Sequence, residues 1–414
     1  MRSVDEHLAD CLALVRPLPA LALDLGNALD CVLTRDVVSG VRLPPFDNSG
    51  MDGYAVVTAD VAGASVGSPV VLPVVGDLPA GATRVEQLVA GTAVRIMTGA
   101  PVPPGTGAVV PVEWTDRGTE RVRIDRAPAD GQNVRAAGDD VEPGDLLLRA
   151  GTRLSPRHIG LLAAAGHARV TVRPRPRVVV MSTGRELVEP GRPLAFGEIF
   201  DSNSYALAAA VTDAGAVAHR VAMVDDDPGA LVEALEVQLG RADLLITTGG
   251  VSAGAYDTVK EVLSGLGTVR FDRVAMQPGM PQGVGTLGDR RQDDGSVGTP
   301  IFTLPGNPVS AFVSFEVFVR PALRVMLGET ELQRPLVTAA ATRSWSSPAG
   351  KRQFARVLVE GEPDDRTVRP VGGQRSNLVA DLAGSNALAV VGEDVTAVAE
   401  GDRVECLLLE RGRR

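Results

Sequence analysis

The chain has 414 residues, 44% of them hydrophobic and 22% charged, and a formal net charge of −10. That length exceeds one average domain and points to roughly two to four. The acidic balance excludes nucleic acid as a partner, because binding a phosphate backbone needs a basic face.

Cys11, Cys31 and Cys406 form no CxxC pair, and His7, His158, His167 and His219 lack metal-ligand spacing. Neither a disulfide framework nor a zinc site is expected from them. The first ten residues are acidic and polar, unlike a signal peptide, and no apolar run approaches the ~20 residues that span a bilayer. A soluble, cytoplasmic protein with no membrane partner is the expectation. Basic residues are nearly all arginine; the lysines are Lys260 and Lys351.

In chain order, residues 1–45 open with an amphipathic helical pattern (Val4, Leu8, Cys11, Leu12, Val15) and end at Leu43-Pro44-Pro45. Over 46–141, short runs such as Tyr54-Ala55-Val56-Val57, Val70-Val71-Leu72, Ala93-Val94-Arg95-Ile96 and Val109-Val110-Pro111-Val112 are divided by Gly, Pro and Asp. That texture predicts a small β domain. Residues 142–173 carry a punctuated helix, with Ser155 as N-cap, Pro156 at its first position and Gly166 as its stop, then a strand from Ala168 to Val172. We read 142–173 as pairing with 1–45, which makes 46–141 an insertion.

Residues 174–327 alternate strands (near 177–181, 217–223, 243–247, 269–275 and 300–304) with helices (near 203–214, 228–239, 256–265 and 308–326). Such alternation implies an open, mostly parallel α/β sheet covered on both faces. From 328 to 414 the chain turns to β again, at Leu336 to Ala341, Phe354 to Val359, Ala387 to Val391 and Val404 to Leu409. This end reads as a small barrel or sandwich.

Three glycine loops follow strand-like runs in the α/β region. They are Ser182-Thr183-Gly184-Arg185-Glu186, Thr247-Thr248-Gly249-Gly250-Val251-Ser252 and Pro305-Gly306-Asn307-Pro308-Val309-Ser310. The preceding runs are short and β-branched enough for buried parallel strands. The loops should therefore gather at the carboxyl edge of one sheet, where α/β folds bind ligands. Glycine lets backbone N–H groups approach a phosphate, and a helix start adds a favourable field. This is a site for an anion.

Acidic residues sit beside the loops: Glu186 in the first, Asp257 after the second, and Asp225, Asp226 and Asp227 at the end of the strand Arg220 to Val224, directly before Pro228. Carboxylates repel a nearby anion unless a cation lies between them, and Mg²⁺ is the usual bridge. Glu186 and Asp226 are thus candidate metal ligands, while one of Asp225 to Asp227 also suits a helix cap. Asp201-Ser202-Asn203-Ser204 reads as a cap. In the insertion, the run from Phe46 to Ala55 holds more turn residues than a turn needs, and Arg95 to Pro101 offers a hydroxyl at Thr98. Turn chemistry and function fit both equally well.

Together these motifs resemble the molybdopterin molybdenumtransferase family, the molybdenum insertases that include the C-terminal region of gephyrin. The matching elements are DNSGMDGYAV (47–56), RIMTGAPVP (95–103), GDDVEPGD (138–145), MSTGREL (181–187), DSN (201–203), TTGGVSAG with Asp257, VAMQPG (274–279) and LPGNPVSA (304–311). The resemblance spans nearly the whole chain. It implies a molybdopterin-binding α/β domain (174–327), an inserted β domain (46–141), a discontinuous linking domain (1–45 and 142–173) and a C-terminal β-barrel-like domain (328–414). It also implies a homodimer, and partners in the molybdopterin adenylyltransferase and the acceptor molybdoenzymes. The implied reaction inserts molybdate into the dithiolene of adenylylated molybdopterin, with Mg²⁺ as cofactor and AMP released.

Carried over by motif, the catalytic set is Asp52 and Thr98, reaching the partner subunit's site, with Glu186, Asp226 and Asp257; Glu186 and Asp226 hold the metal. The binding set is Ser182, Thr183 and Gly184 in the first loop, and Thr248, Gly249, Gly250 and Ser252 in the second. To these it adds Arg273, then Pro305, Gly306, Asn307 and Ser310 in the third loop, and Lys351 and Ser376 near the C-terminus. One departure stands out: where many members carry lysines, this chain has Arg273, Gln277 and Met280. A molybdate dianion needs positive donors or aligned N–H groups, and Arg352, Arg356 or Arg375 could substitute. Three other readings are a molybdopterin adenylyltransferase, a scaffold, and a paralogue that stores molybdopterin. The inserted domain and the carboxylates disfavour the first two; molybdate-dependent AMP release separates the third.

Overall fold

The runs Arg177–Ser182, Leu244–Thr248 and Val297–Leu304 form the centre of a six-stranded sheet. This is a computed structural model, and it describes residues 1–221, 228–250, 258–265, 268–291 and 297–409. The strand order is Val217–Arg220, Arg177–Ser182, Leu244–Thr248, Val297–Leu304, Pro281–Arg291 and Val269–Arg273. The first four run parallel, and Pro281–Arg291 lies antiparallel between its two neighbours. From Arg177–Ser182 the chain crosses to Val217–Arg220 on one side and then to Leu244–Thr248 on the other. The two central loops therefore diverge at a topological switch point, where a crevice opens.

Period-two alternation divides the core between the faces of this sheet. Val178 and Val180 join Leu207 and Val211 of the helix Asn203–Asp213, with Phe315 and Phe318 from the chain's later helical run. Val179 and Met181 face Leu231 and Leu235 of the helix Pro228–Leu239, with Val259 and Leu263. The central strands Arg177–Ser182 and Leu244–Thr248 are thus buried on both sides, which explains their apolar runs.

Two elements correct the sequence reading. The strand Pro281–Arg291 is absent from the sequence reading, and it is built around glycines. They are there for close approach: a Cβ on Gly283 would lie 2.6 Å from the Phe271 ring, and one on Gly285 would lie 2.2 Å from the Thr268 carbonyl oxygen. Glycine inside a strand marks such proximity. The helix expected near 308–326 instead passes through a π-turn at Phe315–Val319, between Pro308–Ser314 and Arg320–Leu327.

The C-terminal strands close on themselves. Arg352–Glu360, Thr367–Pro370, Leu336–Ala341, Arg403–Leu408 and Ala387–Val391 pair in sequence, and the last returns to the first. The result is a closed five-stranded barrel around Ala355, Val357, Val368, Ala389 and Cys406. Thr367–Pro370 is the strand missing from the sequence reading; four residues ending in proline carry too weak a pattern.

The chain parts into two compact units, one of Met1–Ala22, Asp30–Thr34 and Thr171–Arg414, the other of Leu23–Leu29 and Arg35–Val170. The second contains a five-stranded sheet ordered Ala108–Pro111, Gly53–Val56, Ala93–Ile96, Val70–Leu78 and Arg121–Ile124. In the same unit Val37–Val38 pairs with Leu146–Leu148, and Leu43 bridges Val141. Among the described residues no helix is long and apolar enough to cross a membrane.

Candidate active site

The carboxyl ends of the three central strands open into a cleft of ≈ 670 Å³. Ser182, Thr183, Gly184 and Glu186 line it from the first loop, and Thr248, Gly249 and Gly250 from the second. Pro305, Gly306, Asn307 and Ser310 complete it from the third. The expected gathering of the loops is what the fold produces.

Backbone and side-chain hydrogen bonds knit these loops together. The Thr183 N–H donates to the Thr248 carbonyl at 3.1 Å, and the Gly249 N–H to the Leu304 carbonyl at 3.2 Å. Gly249 has φ 98°, and a Cβ there would meet the Thr183 carbonyl oxygen at 2.6 Å. A Cβ on Gly306 would lie in ordinary contact with the Gly249 Cα at 3.4 Å, which shows how closely the second and third loops approach. Glycine is required at Gly249 by conformation and by space alike.

Asn203 is the site residue that the sequence reading passed over as part of a cap. Its Nδ2 donates to Thr248 Oγ1 at 3.0 Å and to the Gly306 carbonyl at 2.6 Å, while Thr248 Oγ1 donates to the Pro305 carbonyl at 3.0 Å. A carbonyl only accepts, so the amide orientation is fixed and Oδ1 points elsewhere. Among the described residues Asn203 Oδ1 and Thr183 Oγ1 are buried without a partner. Both residues line the cleft, so a bound ligand can supply the partner. The DSN motif was the available signal.

Asp201 also borders the cleft but is spent internally. It is buried and accepts from Ser182 Oγ at 3.0 Å, from the Ser204 N–H at 3.0 Å and from the Ser204 hydroxyl. The nearby Arg220 is paired with Glu189 and lies over the Tyr205 ring at 4.0 Å. That hydrogen bond from Arg220, with a second from Tyr205, holds the Glu189 carboxyl below its ordinary range.

Glu186 is exposed at the cleft wall, its carboxylate folded against Gly184. The other two expected carboxylates, Asp226 and Asp257, lie outside the described residues, as does Ser252. Among the described residues no three His, Cys, Asp or Glu side chains cluster as a metal site, so the described donors alone do not complete one.

Arg273, Lys351 and Ser376 do not line the cleft, although Asn377 and Pro281 beside two of the expected segments do. The Ser376 carbonyl accepts from the Val309 N–H at 3.1 Å, which seats this loop of the C-terminal region on the helix behind the third glycine loop. Lys351 precedes Arg352, whose N–H donates to the Ala275 carbonyl at 2.9 Å. The Arg273 guanidinium contacts the Met280 sulfur at 3.2 and 3.3 Å, and no carboxylate pairs with it among the described residues. Two of the substitute arginines are committed elsewhere. Arg352 is paired with Asp5 at 2.8 Å and Glu393 at 3.0 Å, and Arg356 is buried and donates to the Gly373 carbonyl.

In the second unit, Asp52 and Thr98 meet. Asp52 Oδ1 accepts both the Thr98 N–H and the Thr98 hydroxyl, each at 2.7 Å. These two hydrogen bonds hold the Asp52 carboxyl below its ordinary range, the backbone donor contributing most. The rest of the DNSGMDGYA segment builds a turn and the strand that follows it. Asp47 accepts from the Ala137 N–H, Ser49 bonds Met51 and Gly99, and a Cβ on Gly53 would strike the Val110 carbonyl oxygen at 1.9 Å.

Comparison with known proteins decides the family. Residues 2–166 match the MoeA N-terminal region (domain I and II), 179–325 a probable molybdopterin binding domain, and 338–409 the MoeA C-terminal region (domain IV). Over 411 residues the chain is 46% identical to molybdopterin molybdenumtransferase 2 of Mycobacterium tuberculosis, covering 98% of this chain and 99% of that one. The chain belongs to the molybdopterin molybdenumtransferase family. Its likeness to molybdopterin molybdenumtransferase 1 of the same organism is 41%, with 99% of each chain covered, and to the Bacillus subtilis enzyme 33%, covering 93% and 89%. A solved molybdopterin biosynthesis MoeA protein from Pyrococcus horikoshii is similar over 99% of both chains, with a TM-score of 0.74 and 30% identity. The molybdopterin molybdenumtransferase fold thus extends over both units.

Proposed function

We propose that the chain inserts molybdate into the dithiolene of adenylylated molybdopterin and releases AMP, as a cytoplasmic homodimer in molybdenum cofactor biosynthesis. The observation that carries this reading is the convergence of Gly184, Gly249 and Gly306 on one cleft at the switch point of the sheet. The close approach of the second and third loops, whose glycines leave the backbone bare along the cleft, suits the phosphates of the substrate. The ≈ 670 Å³ of the cleft is larger than a phosphate needs and matches a ring system carrying phosphates.

In this reading Glu186, with Asp226 and Asp257, acts on the phosphoanhydride, and Asp52 with Thr98 reaches the partner subunit's site. Thr98 fixes the Asp52 carboxylate in place and keeps it ionised. Mg²⁺ would neutralise phosphate charge when bound, and Glu186 and Asp226 are the carboxylates that would hold it. Arg273, uncommitted to any described carboxylate, is the cation that meets molybdate in place of the missing lysines. The adenylyltransferase and the acceptor molybdoenzymes are its partners in substrate supply and cofactor delivery.

The test follows AMP release from adenylylated molybdopterin with and without molybdate and Mg²⁺. Release that needs both supports the insertase reading. AMP transfer from ATP to molybdopterin would support an adenylyltransferase, and tight molybdopterin binding without any release would support a storage protein.

A further inference from the structure

The cleft has two unlike walls. The glycine loops and Asn203 make one of them polar, while Leu187, Ile199 and Phe200 make the other apolar. Ile199 is 55% exposed and Phe200 43% exposed, in a chain whose aromatic content is only 3%. Large apolar side chains left in the open beside a cavity mark a binding surface.

This wall is held in place from both ends. Leu187–Val188 pairs with Ile199–Phe200, the Ile199 N–H donates to the Glu186 carbonyl at 2.8 Å, and the Asp201 N–H to the Val188 carbonyl at 2.9 Å. The next residue, Asp201, is buried and held by Ser182 and Ser204. Phe200 therefore sits between two fixed points. Leu194 and Phe196 of the same excursion are exposed as well, but they do not line the cleft.

We propose that Ile199 and Phe200 form a stacking wall for a fused nitrogen heterocycle, supplying the cleft's affinity for a ring while the glycine loops take the phosphates. The inference rests on the substrate reading above, which offers two such rings: the pterin and the adenine. Both are flat, with apolar faces that an aromatic side chain covers and polar edges left for hydrogen bonding. Stacking holds ground state and transition state alike, so its loss should raise KM and leave kcat nearly unchanged.

Binding of molybdopterin, AMP and pyrophosphate would be measured for the wild type, Phe200→Ala, Ile199→Ala and Phe200→Tyr, alongside steady-state AMP release. Phe200→Ala should weaken one ring-bearing probe by about tenfold or more and leave pyrophosphate binding unchanged. Loss on molybdopterin places the pterin at the wall; loss on AMP places the adenine there. Phe200→Tyr, which keeps the ring, should bind like the wild type. Equal binding of both ring-bearing probes by wild type and Phe200→Ala would overturn the proposal. So would parallel weakening of pyrophosphate, or a change of oligomeric state in sedimentation, which would assign the wall to a second copy. If the wild type itself binds no molybdopterin, the substrate reading fails and takes this inference with it; if it binds and the variants match it, the inference alone fails.

Discussion

Asp52 and Thr98, 46 positions apart, are joined by two 2.7 Å hydrogen bonds to a single carboxylate oxygen. Each comes from a motif that turn chemistry could have explained, and the pair is exposed at the surface of its unit. A threonine that donates through both its backbone and its side chain is a clamp on the ionised acid.

The clamp has a measurable signature. A carboxyl with a lowered pKa contributes stability above its unfolded value, lost as pH falls through the folded one. Thr98→Val removes the hydroxyl donor but keeps the N–H, so the Asp52 pKa should rise part of the way toward ~3.9. Carbon-detected NMR titration of the Asp52 carboxyl reads this directly. AMP release should fall in the same variant while its unfolding temperature stays close to that of the wild type.

Gly249 has no room for a side chain. Alanine there must adopt φ 98° and place its Cβ 2.6 Å from the Thr183 carbonyl oxygen. We expect Gly249→Ala to cost about 1–3 kcal/mol of stability and to abolish pyrophosphate binding. Thermal unfolding and titration calorimetry check the two effects, and a variant that binds normally would contradict the cradle.

In the proposed reaction Arg273 should carry the oxyanion work. Losing a charge-assisted hydrogen bond is worth about 1.5–3 kcal/mol, so Arg273→Ala should raise the molybdate KM by about 10–100-fold. Arg273→Lys should recover most of it. Molybdate-dependence curves of AMP release decide the matter, and an unchanged KM would return the role to Arg375 or to backbone donors.

His7 gives the larger unit a sensitivity to acid. It is buried against Phe318, ring centroids 4.7 Å apart, and burial lowers its pKa to about 4 despite Asp272 nearby. The unfolded chain then binds the proton more readily, with a pKa near ~6.5, so stability is intact above that value and declines as pH falls toward 4. The loss should be on the order of 3 kcal/mol at pH 4. His7→Phe should flatten that part of the stability–pH profile, as measured by chemical denaturation.

The strands of the α/β region were legible because β-branched runs buried on both faces leave an unbroken apolar signature. Gly184 and Gly249 were legible because loops built around positive φ and close contact admit little else. Pro281–Arg291 was not, since the glycines that let it pack against Phe271 and Thr268 are poor strand formers. Asn203 was hidden by its own capping chemistry; only the third dimension brings Thr248 and Gly306 to its amide. Ile199 and Phe200 escaped for a related reason, because a two-residue pairing with Leu187–Val188 leaves no periodicity to read.

The most direct measurement compares molybdate-stimulated AMP release from adenylylated molybdopterin by the wild type and Glu186→Ala, with Asp226→Ala as its companion. The account predicts robust release by the wild type and none by either variant, with unfolding temperatures unchanged. Wild-type turnover in both variants would contradict it.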